Sequence, residues 1–127
     1  MTGRPCKDCE AGSKRPAPYP GPRCATHHRE HKAASKVARH ETRVVKVYGL
    51  SPGDYARLYA AQGGVCALCR RATGATRQLA VDHDHETGEV RGLLCMPCNR
   101  DIIGKGRTML VRALEYFDNP PARKVLL

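Results

Sequence analysis

The sequence predicts a small α+β domain held together by metal rather than by a large apolar core. Three observations support this. Seven cysteines stand mostly in C-x-x-C pairs. Two short strand-like segments lie between two of those pairs. Only five Tyr, one Phe and no Trp serve a chain of 127 residues, and a small domain with so thin a core needs a staple. Seven is an odd number, which suits metal ligands better than complete disulfide pairing. No apolar run reaches the ~18 residues of a membrane helix, so no membrane partner is expected. The opening MTGRPCKDCE has no apolar signal segment. The expected compartment is a reducing cytoplasm, where disulfides are rare.

Met1–Arg23 reads as a loop-rich knuckle, because RPAPYPGP lacks the N–H groups that a helix or central strand needs. ATHHREHKAASKVARHETRVVKVY, from Ala25 to Lys46 or Tyr48, has no Gly or Pro and predicts a long helix stopped by Gly49. Its few apolar positions (Val37, Val44, Val45, Val47) leave most of it solvated or against something charged. A second helix is expected to start at Ser51, with Ser51 as N-cap, Pro52 at N1 and Asp54 at N3. Tyr55, Leu58 and Tyr59 form its apolar stripe, and Gly63-Gly64 ends it. Gln78–Val81 and Glu89–Leu94 read as two strands joined by DHDHETG. A third helix is expected near Pro97. A fourth, Thr108–Phe117, puts Leu110, Val111, Leu114 and Phe117 on one face before NPPARK stops it.

Two metal constellations emerge. Cys66-x2-Cys69-x25-Cys95-x2-Cys98 has the spacing of a structural four-thiolate zinc site. It would tie the exit of the second helix to the start of the third and enclose the hairpin. Cys6-x2-Cys9-x14-Cys24-x2-His27 offers three thiolates and an imidazole to a second zinc, with His28 as the alternative imidazole. All seven cysteines are then used.

The charge is uneven. Residues 1–48 carry 11 Lys/Arg against 4 Asp/Glu, a net +7, while residues 49–127 carry 11 against 8, a net +3. A basic first third points to a polyanion, and nucleic acid is the usual one. Arg29, Lys32, Lys36, Arg39, Arg43 and Lys46 recur every three or four residues, so much of their charge shares a helical face.

VDHDHE, Val81–Glu86, belongs to neither zinc set. In strand geometry Asp82 and Asp84 share one side, and His83 and His85 the other. An imidazole that titrates near neutrality can act as general base. A carboxylate and an amide oxygen are hard ligands for a divalent cation, and Asn99, next to Cys98, can supply the amide.

LYAAQGGVCALCRRATG followed by VDHDHETGEVRGLLCMPCN resembles the bacteriophage recombination endonuclease VII family, one of the HNH or ββα-metal nucleases. The resemblance covers about Asp54–Gly104. It implies a zinc-stapled, treble-clef-like ββα-metal core with flanking helices, expected in residues 49–127; the N-terminal zinc knuckle and basic helix, residues 1–48, lie outside the resemblance. It implies zinc on Cys66, Cys69, Cys95 and Cys98. Asp82 and Asn99 would hold a catalytic Mg²⁺ or Mn²⁺, His83 would activate water, and His85 would assist near the scissile phosphate. Asp84 would orient an imidazole or cap the turn, and Arg91 would touch phosphate or be solvated. In the family an acid follows the Asn by about a turn; in CNRDIIGKG the nearest is Asp101. The family also continues into a long helical dimerisation region, whereas this chain has one modest helix before Leu127.

The expected function is metal-dependent cutting or nicking of duplex or branched DNA by a one-metal HNH mechanism, in a phage or prophage protein of the bacterial cytoplasm. A dimeric junction-resolving endonuclease, self-paired or with a phage partner, is the second reading. A zinc DNA-binding module without catalysis is the third.

Overall fold

Gly53 sits in the left-handed region (φ 86°) and cannot be helical, so the second helix begins at Asp54 and not at Ser51. The predicted cap survives in altered form. Asp54 reaches back to accept the Ser51 N–H at 2.7 Å, while Gly53 occupies the N-cap position. This comes from a computed structural model, which describes Arg4–Leu126; the first three residues of the expected knuckle, and Leu127, lie outside it.

The described residues fall into two compact units, divided between Val47 and Tyr48. The first holds a loop segment, pinned by a bridge between Pro5 and Pro16, and nearly all of helix α1, Ala25–Tyr48. This helix has the predicted span, and Gly49 follows in the left-handed conformation of a C′ residue. Val44 is its one buried residue, as the sparse apolar pattern implies.

The second unit contains α2 (Asp54–Ala61), β1 (Ala80–His83), β2 (Val90–Leu94), an irregular turn, α3 (Arg107–Asp118) and a short α4 (Ala122–Val125) that the sequence did not suggest. The strands pair antiparallel, Ala80 opposite Leu94 and Asp82 opposite Gly92, with a register shift between Asp82 and His83. β1 starts two residues later than predicted. The carbonyl of Leu79 is taken by the Tyr55 hydroxyl at 2.7 Å instead of by a ladder partner. Tyr59 likewise donates to Thr73 O at 2.8 Å, so the half-buried stripe of α2 grips the loop before the hairpin. At the outer edge of β2, the Gln62 amide donates to Leu93 O at 2.9 Å and accepts from Leu93 N at 2.8 Å.

The expected third helix opens at Met96 and Pro97, then widens into a π-helical turn over Cys98–Ile102 and tightens into a 3-10 turn over Ile103–Lys105. The aliphatic core of this unit is thin: Leu79, Val81, Leu93 and Leu94, packed with Cys66 and Cys98. Each such aliphatic contributes about 1.5–3 kcal/mol on burial, which leaves room for a metal staple. The predicted face of α3 exists but is uncovered, with Leu114 64% and Phe117 74% exposed. Among the described residues no helix is long and apolar enough to cross a membrane.

Candidate active site and metal centres

Each knuckle of the first cysteine set is a tight turn closed by backbone bonds. Arg70 N–H donates to Cys66 O at 3.0 Å, and Arg70 itself takes a left-handed φ of 57°. Asn99 N–H donates to Cys95 O at 2.9 Å, closing the second knuckle. The sulfurs of Cys66, Cys69, Cys95 and Cys98 all lie within 4.8 Å of one another. Tetrahedral Zn–S bonds of ~2.3 Å place sulfurs ~3.8 Å apart, so the cluster fits a structural zinc. Burial raises the Cys66 thiol, but backbone N–H groups of Cys95, Cys69 and Leu68 outweigh it and bring the thiol down to about 6. Cys98 goes the other way, up to about 12, through burial and the three neighbouring sulfurs. The two shifts describe one shared charge: the first thiolate is welcomed by N–H donors, and the last is repelled by the others. A dication removes that repulsion.

The second set is equally convergent. His27 Nδ1 lies 3.3 Å from Cys6 Sγ, 3.5 Å from Cys9 Sγ and 3.4 Å from Cys24 Sγ. His28 points elsewhere and stacks on Tyr19 at 4.7 Å. His27 is therefore the imidazole that the structure brings to this cluster, and the four atoms could hold zinc.

The hairpin residues meet at an open cleft of about 940 Å³. Asp82, Asp84, His85 and Glu86 come from the hairpin, and Asn99 comes from the π-helical turn behind Cys98. The cysteine cluster thus fixes both walls, because Cys95 follows β2 directly and Cys98 precedes Asn99. Carboxylate and amide oxygens on one cleft are the donor set of a hard divalent cation, so Asp82 and Asn99 fit one chemically. His83 does not line the cleft. Its ring stacks on His85 at 4.7 Å, with planes 17° apart, and meets Tyr48 at 5.3 Å.

Asp84 caps the hairpin turn. Its Oδ1 accepts N–H bonds from Glu86 and Thr87, each 2.8 Å, which holds the carboxyl below its ordinary range. Sequence alone left Arg91 either solvated or set for phosphate; its half-exposed side chain is in fact paired with a carboxylate. Its Nε and Nη2 grip Asp82 Oδ2 and Oδ1 at 2.8 and 3.0 Å. The cross-strand register carried the signal, since Asp82 stands opposite Gly92, the neighbour of Arg91. Asp101 bonds to the adjacent Arg100 and is not among the cleft residues. Arg107, from the start of α3, does line the cleft, and no motif had marked it.

The pattern of recombination endonuclease VII matches residues 41–119. The gene 59 protein of Mycobacterium phage D29 is 51% identical over 129 residues, spanning 97% of this chain and 78% of the relative. The gene 59 protein of Mycobacterium phage L5 is 49% identical, over 97% of this chain and 79% of its own. No solved structure matches. With the family pattern across well over half of its length and these phage relatives along nearly all of it, the chain belongs to the recombination endonuclease VII family and is a nuclease that acts on DNA.

Proposed function

We propose that the protein cuts or nicks DNA by one-metal HNH chemistry in a treble-clef-like ββα core, residues 49–127, and grips DNA with an N-terminal zinc knuckle and basic helix, residues 1–48. The observation that carries this is the convergence of Asp82, His85 and Asn99 on one cleft beside a cysteine cluster that fixes both walls. A phosphodiester repels nucleophiles, and a Mg²⁺ or Mn²⁺ held by Asp82 and Asn99 would offset charge on the phosphate and leaving oxygens. His83 takes the proton of the attacking water, and His85, stacked on it, assists from the cleft wall. The proposed setting is the cytoplasm of a phage-infected or lysogenic cell. The direct test is supercoiled plasmid and a four-way junction incubated with Mg²⁺ or EDTA. Nicking in Mg²⁺ alone supports the reading, and binding without any cutting favours a zinc DNA-binding module.

Asp82→Ala and Asn99→Ala should lower cleavage and recover part of it at high Mn²⁺, while zinc content, read by atomic absorption, stays at wild type. Recovery in neither variant would remove these residues from the cation site.

Arg29, Lys32, Lys36, Arg39, Arg43 and Lys46 are all exposed on α1. Each phosphate neutralised on duplex DNA contributes about 0.9 to the slope of log affinity against log salt. Changing all six to Gln should weaken binding to every sequence and flatten the slope by several units. An unchanged slope would mean that α1 faces a protein partner instead.

One observation favours the dimeric, junction-resolving reading as second choice: the uncovered face of α3 at Leu114 and Phe117. If two chains pair there, Leu114→Glu with Phe117→Glu should halve the mass measured by light scattering and abolish any preference for junctions over duplex.

A further inference from the structure

We propose that Arg91 is an exchangeable counter-ion: it holds Asp82 until a divalent cation takes that carboxylate, and the guanidinium so released then grips a DNA phosphate at the same cleft. The proposal rests on the reading of Asp82 and Asn99 as the cation's ligands.

The Asp82 side chain is only 10% exposed, and both of its oxygens are engaged by the guanidinium fork. A carboxylate so withdrawn from water needs a counter-charge, and Arg91 provides it. Guanidinium and cation want the same oxygens and repel each other. Binding of one therefore weakens the other, and by the same factor in both directions. Arg91 is nonetheless free to leave. Its side chain is 46% exposed, and a second acceptor stands beside the first. Asp84 spends Oδ1 on the turn N–H groups and directs Oδ2 to within 3.9 Å of Arg91 Nη1. The guanidinium can pivot from Asp82 to Asp84 without leaving the cleft that both line. It then stands where a phosphate would meet it, and its planar fork matches phosphate oxygens two at a time. A purely structural Arg–Asp pair would behave oppositely: it would hold the carboxylate in place for the cation, and its loss would weaken cation binding.

The experiment measures Mn²⁺ affinity of the zinc-saturated full-length protein by the EPR signal of free Mn²⁺. Arg91→Ala should bind Mn²⁺ roughly 10- to 100-fold more tightly than wild type, the range expected on removing a charged, bidentate competitor. Arg91→Lys keeps the charge but loses the fork, and should fall between the two; it carries the test if the Ala variant is unstable. The second readout is the salt slope of duplex binding with Ca²⁺ against EDTA. The cation should steepen the wild-type slope by about 0.9 more than that of Arg91→Ala, one phosphate contact. Equal or weaker Mn²⁺ binding by both Arg91 variants overturns the exchange and leaves the ligand reading intact. If Asp82→Asn and Asn99→Ala instead bind Mn²⁺ as wild type does, the ligand reading itself has failed and the exchange falls with it.

Discussion

His83→Ala should abolish cleavage while zinc content, thermal stability and DNA affinity stay near wild type. His83 lies outside both cysteine clusters, and its ring packs only partly into the fold, between His85 and Tyr48. Removing a general base typically costs about 10²–10⁴-fold in rate. The loss should appear in single-turnover nicking at saturating enzyme, where binding plays no part. His85→Ala is the necessary companion, because His85 and not His83 lines the cleft. If His85→Ala shows the larger loss, the two imidazoles exchange roles. Full activity in His83→Ala would end the assigned mechanism.

Cys95→Ser should have an effect of another kind, the collapse of the second unit. Cys95 closes β2, and its carbonyl anchors the turn that carries Asn99. The aliphatic core beside it is four side chains deep. Structural zinc contributes about 10–16 kcal/mol of apparent binding free energy in small zinc domains, all of it coupled to folding. No core of this size replaces that. The variant should lose one zinc, its dispersed amide NMR spectrum and its cooperative melt together. A folded Cys95→Ser with an unchanged melting temperature would show that the cluster is not the staple.

Much of this fold was legible because its signals are local. The Gly-free, Pro-free run fixed α1, Gly63-Gly64 ended α2, and C-x-x-C spacing announced each cluster. The less legible parts depend on partners distant in sequence. Gly53 forbade helix where Ser-Pro had suggested its start, a matter of one backbone angle. The start of β1 moved because Tyr55 took the carbonyl of Leu79. The choice of His27 over His28 needed the loop that brings Cys6 and Cys9 beside it. The π-helical turn has no propensity signature, and the grip of Arg91 on Asp82 depends on strand register. The motif VDHDHE therefore told which groups were present, but not that His85, rather than His83, would line the cleft.

A two-stranded sheet has two open edges, and each is a template on which another chain could add a strand. On the β2 side the Gln62 amide closes that template. Its donor and acceptor satisfy Leu93 as a third strand would, and Ala67 N–H adds a bond to the same carbonyl at 3.1 Å. The plug lies close over the strand, since a Cβ on Gly92 would sit 3.2 Å from Gln62 Oε1. The consequence is that the β2 edge of the hairpin offers no free template for strand addition by a second chain. One side-chain amide here does the work of a covering strand.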